Sequence, residues 1–149
     1  MDIVVCTEPL SYIEFRDFIM DSADWFVPSL HTMPDLNKWI LKMFRQGFMY
    51  YSKSESNIIA LMVIYHNVEK HFIYIPYICV HPDCWGCGIS RQILSYLMFH
   101  LPAHINEVYL EVRKDNERGI HLYEKLGFYE FEDRGVKHLM KKEIYKINV

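Results

Sequence analysis

The chain has 149 residues, 51% hydrophobic and 23% charged, with a formal net charge of −3 and no Lys/Arg run longer than Lys141-Lys142. That length suits a single domain over residues 1–149 with a real core, and that balance excludes a disordered chain and speaks against a dedicated nucleic-acid binder. No segment reaches the roughly 18 uninterrupted apolar residues of a spanning helix, the start "MDIVVCTEPL" lacks a signal peptide's basic flank, and three of the four cysteines crowd into nine positions, unlike a secreted disulfide framework. A cytoplasmic protein with no membrane or nucleic-acid partner is therefore expected.

"DIVVC" (Asp2–Cys6) reads as a short first strand. In "PLSYIEFRDFIMD", Leu10, Ile13, Phe18 and Ile19 fall roughly on one helical face. A second helix is predicted at "PDLNKWILKMFRQG" from Leu36, Trp39, Ile40, Met43 and Phe44, with Pro34 suited to a first turn and Gly47 to the C-terminal cap. "FMYYSK" and "IIALMVIYH" are strands joined through the polar "SESN", a predicted hairpin. "HFIYIPYICV" is a further strand, in which Pro76 cannot donate to the ladder and predicts a bulge or a local edge. Ile89, Ile93, Leu94, Leu97, Met98 and Leu101 form one apolar helical stripe that Pro102 ends. "EVYLEVRK" alternates, with Val108, Leu110 and Val112 on one face and Tyr109, Glu111 and Arg113 on the other. "NERGIHLYEKLGF" is a short helix closed by Gly127, and the strands "YEFED" and "HLMKKEI" flank "RG". The order β-α-α-β-β-β-α-β-α-β-β implies a mixed α/β sheet, parallel at the crossovers and antiparallel at the hairpins.

The stretch "CVHPDCWGCGISRQIL" (Cys79–Leu94) admits three chemistries. Cys79, His81, Cys84 and Cys87 could ligate zinc, although a cysteine ending an apolar strand usually fills core. "CWGC" between a strand and a helix has the form of a redox centre, but it comes after two helices and a meander rather than early in a βαβ start. Gly86 and Gly88 before a helix start could cradle a phosphate, because helix N-termini offer unpaired N–H groups and glycines allow close backbone approach. A lone GxG is weak evidence on its own.

A second feature lies at Leu110–Phe128, where Asn116, Gly119, Tyr123, Gly127 and Phe128 follow the spacing N-x-x-[AG]-x-x-x-Y-x-x-x-G-F. Together with Val80-His81-Pro82 and the loop Trp85-Gly86-Cys87-Gly88-Ile89-Ser90, this resembles the GNAT superfamily of acyl-coenzyme A-dependent N-acetyltransferases. The resemblance implies a single-domain GNAT-like fold: a mixed, mostly antiparallel sheet with one splayed parallel strand pair and about four flanking helices. Trp85 stands where the family has Arg or Gln, Ser90 where Gly or Ala is commonest, and Cys87 at a position often basic.

The activity implied is transfer of an acetyl group from acetyl-coenzyme A, without a metal, to a primary amine of a small molecule or peptide. The cofactor residues implied are Ile78, Cys79, Val80, Trp85, Gly86, Cys87, Gly88, Ile89, Ser90, Arg91, Asn116 and Tyr123, with Cys79 and Val80 offering backbone groups and Tyr123 acting as general acid. Tyr74, Glu111 and His121 are alternative candidates for the base. Asp21, Asp24, Trp25, Phe26, His31, Tyr50 and Tyr51 are candidates for the acceptor site, where acidic and aromatic groups would suit a small cationic amine, a peptide N-terminus or an amino sugar. A homodimer is left open. The competing readings are a non-catalytic acyl-coenzyme A-binding or regulatory domain on the same fold and a zinc-stabilised interaction module.

Overall fold

The structure is a computed structural model and describes residues 1–145; the last four positions of the expected domain lie outside the described residues. Its six strands are β1 (Phe48–Ser54), β2 (Asn57–Asn67), β3 (Phe72–Val80), β4 (Glu107–Arg113), β5 (Tyr129–Arg134) and β6 (Lys137–Glu143). They form one sheet in the order β1-β2-β3-β4-β6-β5. Only β3 and β4 pair in parallel; the other neighbours are antiparallel. Four α-helices accompany the sheet: α1 (Tyr12–Ser22), α2 (Leu36–Gln46), α3 (Ile89–Phe99) and α4 (Glu117–Lys125). This is the mixed sheet with one parallel pair that the motifs imply. No helix among the described residues is long and apolar enough to cross a membrane.

Each face of the sheet carries its own core. On one, Ala60, Met62 and Ile64 of β2 and Val108, Leu110 and Val112 of β4 meet α3. Ile93, Leu94 and Leu97 of α3 are fully buried there, each worth about 1.5–3 kcal/mol of transfer free energy. On the other face, Leu61 and Val63 meet Phe15 and Ile19 of α1 and Ile40 and Met43 of α2. Ile13, expected on the buried face of α1, is 63% exposed. It points away from the stripe Phe15–Phe18–Ile19–Ser22, which follows the helical period more closely. Pro34 lies just before the N-cap Asp35 of α2 rather than in its first turn, while Gly47 is the C-cap as expected.

The expected first strand shrinks to a single bridge. Cys6 N–H donates to Tyr51 O (2.7 Å) and Tyr51 N–H to Cys6 O (3.0 Å). The residues before it lie across α3 instead: Gln92 accepts from Ile3 N–H (2.9 Å) and donates to Met1 O (2.6 Å). The alternation of Ile3 and Val5 therefore reflects packing against the α3 core, not strand pairing. The "SESN" hairpin forms as expected, with Glu55 and Ser56 both at positive φ (50° and 73°), the twist a two-residue hairpin turn requires.

Pro76 produces the bulge it predicts. Val63 pairs with Tyr77 and Tyr65 with Tyr74, so Ile75 and Pro76 together oppose Ile64. The extra residue reverses which side chains face which layer. Ile73 and Ile75 pack toward α3, whereas Tyr77 and Cys79 pack toward α1 and α2. At the same point the parallel pairing ends: Phe72–Ile75 match Glu107–Leu110, and no pair follows. Beyond it β3 stays with β2 as far as Val80, while β4 stays with β6. The sheet is thus forked between β3 and β4.

Candidate active site

At the mouth of the fork the chain leaves β3 through a short 3-10 turn, Pro82–Cys84. Cys84 to Cys87 then forms a type II β-turn. Trp85 has φ −63°, ψ 142°, Gly86 has φ +82°, and Cys87 N–H closes the turn on Cys84 O (3.3 Å). Type II geometry demands positive φ at its third residue, which explains Gly86. Gly88, at φ +75°, is the N-cap of α3 and provides no side-chain acceptor for the helix's first N–H groups. Those groups and the helix dipole make an anion site.

Two guanidinium groups border this cradle. A Cβ built on Gly88 would stand 3.7 Å from Arg91 Nη2, and one on Gly86 would stand 3.8 Å from Arg118 Nη2. Arg91 was expected here. Arg118 was not: it reaches the loop from the first turn of α4. A cation there opposes the helix dipole, and neither arginine has an ion-pair partner among the described residues. That misfit of charge and helix end is the sequence signal that could have found Arg118. Arg118 thus brings to the loop a positive charge that Cys87 does not.

The zinc alternative requires four groups that the fold uses separately. Cys79 is buried in the α1/α2 core, where burial pushes its thiol up to about 11. His81 Nδ1 accepts from Asp83 N–H (3.1 Å) and its ring packs on Trp25 (4.9 Å). Among the described residues no three His, Cys, Asp or Glu side chains converge as a metal site would.

Inside the fork, His81 N–H donates to Ile59 O (2.7 Å). Backbone direction alternates along a strand, so Cys79 also turns its backbone toward β2, while Ile78 and Val80 turn theirs into the fork. The expectation that Cys79 offers its backbone to a ligand is corrected accordingly. Trp85 caps one of these groups, its indole N–H donating to Val80 O at 2.8 Å. Ile89 is buried at the start of α3, and Ser90 is its second residue. Asn116 caps α4, its Oδ1 accepting from Gly119 N–H (3.0 Å).

Tyr123 packs against the α3-side core, edge-on to Phe128 at 6.0 Å, and burial pushes its hydroxyl up to about 12. Glu111, the first β4 residue beyond the last β3–β4 pair, lies on the opposite face. Tyr74 O–H donates to Glu111 Oε1 (2.8 Å), and Arg134 Nη1 lies 3.7 Å from Oε2. Burial first, then the Glu111 hydrogen bond and charge, push the Tyr74 hydroxyl far above its ordinary value. In this pair the Tyr74 hydroxyl is the donor and the Glu111 carboxylate the acceptor. His121 is exposed on α4.

Beside Tyr74 opens a cavity of about 790 Å³, walled by Tyr65, Phe72, Tyr74, Tyr109 and Phe131, with Lys42, Glu69 and Arg134 among its polar lining. The buried Tyr65 hydroxyl has no hydrogen-bond partner among the described residues. Such orphaned groups are rare in folded proteins and call for a partner. The residues named for the acceptor site do not line this cavity, although α2 contributes Lys42 and Gln46. Asp24 accepts from Ser29 O–H (2.6 Å), His31 and Asp21 are exposed, Trp25 packs on His81 and Phe18, and Phe26 packs on Tyr77. Tyr51 is core. Tyr50 lies on the far face against Tyr96. The cavity is built mainly from strand residues whose separation in sequence hid their proximity.

A mixed sheet forked between its one parallel pair, with a glycine loop and a helix N-terminus after β3, defines the α/β architecture, and the comparisons place it in a family. The model of the acetyltransferase (GNAT) family matches residues 14–128. The chain belongs to the GNAT acetyltransferase family. Among solved structures, the ribosomal-protein-S18-alanine N-acetyltransferase of Escherichia coli matches with TM-score 0.77 and 19% identity, over 99% of this chain and 97% of that one. PaiA N-acetyltransferase of Thermoplasma acidophilum, solved with coenzyme A, matches with TM-score 0.72 and 16% identity, over 97% and 100%. A GNAT acetyltransferase of Elizabethkingia anophelis with acetyl-CoA bound matches with TM-score 0.69 and 17% identity, over 95% and 98%. At these identities the likeness is one of fold. No curated protein matches the chain.

Proposed function

We propose that the protein transfers an acetyl group from acetyl-CoA directly to a primary amine of a small molecule or peptide. One observation carries the reading: the sheet forks after the Ile75–Leu110 pair, with Glu111 and its Tyr74 donor beside the split and the glycine loop and α3 N-terminus following the end of β3. Acetyl-CoA, when bound, supplies the acetyl group as a thioester. The cradle residues Gly86, Gly88, Ile89 and Ser90 with Arg91 and Arg118 hold its diphosphate, and the fork-facing backbone of Ile78 and Val80 holds its arm. Arg118 also answers the motive for a non-catalytic binding domain, since the loop's missing charge arrives from α4.

Glu111 is the general base. The Tyr74 hydrogen bond orients its carboxylate and the Arg134 charge lies 3.7 Å away; it sits behind the cavity walls formed by Tyr74 and Arg134, so a water relays the amine's proton to it. The aromatic cavity holds the body of the acceptor, and the Tyr65 hydroxyl meets one of its polar groups. Tyr123 assists the leaving sulfur. A thiol's ordinary value near 8.5 lies well below the value of about 12 for this tyrosine. Tyr123 therefore steadies the developing thiolate through a hydrogen bond and holds its own proton throughout the physiological range. A hydrogen-bond donor must carry its proton, and a raised value extends the protonated window upward. Any alkaline fall in rate caused by Tyr123 should therefore appear only as pH approaches about 12.

Thermal unfolding with increasing acetyl-CoA, paired with thiol release across a panel of amines, tests the function. A ligand that binds only the folded state raises Tm progressively above its Kd, and an acceptor should release free coenzyme A. No Tm rise at millimolar acetyl-CoA would overturn the reading. Tyr123→Phe should lower kcat on the order of tenfold to a hundredfold while leaving the KM for acetyl-CoA in place; full activity in that variant would remove Tyr123 from the chemistry. Arg118→Ala should raise the KM for acetyl-CoA about tenfold, as expected for a lost charge-assisted hydrogen bond, with kcat nearly unchanged.

A further inference from the structure

The function leaves one motif unused, the pair Cys84 and Cys87 in "CWGC". Both thiols are free, Cys84 half-buried and Cys87 exposed. They occupy the first and fourth positions of the type II turn closed by Cys87 N–H on Cys84 O. A β-turn holds its end Cα atoms within about 7 Å, and a disulfide spans Cα separations of about 4.4–6.8 Å. The turn thus brings the two residues within bridging reach. The other cysteines lie elsewhere: Cys79 in the α1/α2 core and Cys6 on the β1 edge.

We infer that Cys84 and Cys87 form a reversible thiol–disulfide site within the loop that cradles the cofactor diphosphate. The oxidant is a small disulfide such as glutathione disulfide, whose carboxylates the Arg91 and Arg118 guanidinium groups attract. The exposed Cys87 attacks, as its thiolate, one sulfur of that disulfide. This breaks the S–S bond, expels one glutathione thiolate and leaves a mixed disulfide on Cys87. Cys84, having lost its proton to solvent, then attacks the Cys87 sulfur and expels the second glutathione. Two protein thiols are oxidised by two electrons in all, and one glutathione disulfide is reduced to two glutathiones.

The consequence for the cofactor follows from the hydrogen bond that closes the turn. Cys87 N–H is given to Cys84 O in the closed turn, and only an opened turn frees it for a phosphate. A disulfide holds the turn closed and so withholds that donor from a phosphate. Oxidation should weaken acetyl-CoA binding about tenfold, and by linkage acetyl-CoA should disfavour oxidation by the same factor. This coupling rests on the proposed cofactor reading; the thiol chemistry does not.

The test treats the whole chain with a glutathione redox series, blocks remaining thiols with an alkylating agent and maps the peptides by mass. The expected product is a peptide with Cys84 and Cys87 joined, while Cys6 and, after unfolding, Cys79 are alkylated. Cys84→Ser should stop at the glutathione adduct of Cys87, and dithiothreitol should restore the starting mass. A wild-type adduct at Cys87 that never closes, or a bridge to Cys6 or Cys79, would overturn the site. Titration calorimetry on the oxidised and reduced protein then reads the coupling. Equal acetyl-CoA affinities would overturn the coupling, whereas no acetyl-CoA binding by either form would count against the cofactor reading instead.

Discussion

Glu111→Gln should lower kcat about a hundredfold or more at neutral pH, with the KM for acetyl-CoA unchanged. General bases typically contribute about 10²–10⁴-fold. Glutamine keeps an oxygen to accept from Tyr74, so the hydrogen bond that orients position 111 survives and the loss reports the proton acceptor itself. It also removes the charge facing Arg134, 3.7 Å away. The pH profile separates the two effects. Without a base, only amine already deprotonated in solution reacts, so the variant's rate should keep climbing with pH after the wild type has levelled, and the gap should narrow. Thiol release measured across pH checks this. A variant with more than half of wild-type activity at neutral pH would exclude Glu111 as the base.

Gly88→Glu should abolish measurable acetyl-CoA binding while leaving the sheet intact. Two penalties act together. Position 88 sits at φ +75°, where a side chain costs roughly 1–3 kcal/mol of strain. The new carboxylate also lies beside Arg91, where it would compete with the diphosphate for that guanidinium and repel it at the helix N-terminus. Gly88→Ala carries the strain without the charge and should bind acetyl-CoA more tightly than the glutamate variant. Calorimetric titration with far-UV circular dichroism on both variants measures this. Equal binding by the two would show that the cradle does not hold the diphosphate.

Local chemistry explains which parts of the fold were legible. The stripe Ile89–Ile93–Leu94–Leu97 and the alternation Val108–Leu110–Val112 put apolar side chains on one face at the helical and strand periods, and those faces are buried. Pro76 announced the bulge because it has no N–H to give. The first strand misled because alternation reports burial and not pairing: Ile3 and Val5 alternate against α3. Ile13 misled because a hydrophobic residue can stand on the solvent face without penalty large enough to forbid it.

The site divides in the same way. Spacing and the two motifs were enough to read the glycine loop, the helix start behind it and the family, because each depends on residues close in sequence and on backbone demands only certain residues meet. The tertiary structure alone decided the rest. The parallel register of β3 and β4 sets Tyr74 against Glu111 across 37 residues, α4 brings Arg118 to the loop, and strands from across the sheet, with Lys42 and Gln46 of α2, line the aromatic cavity in place of the residues named for the acceptor. The physical reason is that a side chain's chemistry is local, whereas its partners depend on strand order and register. Those are settled only when the whole sheet is packed.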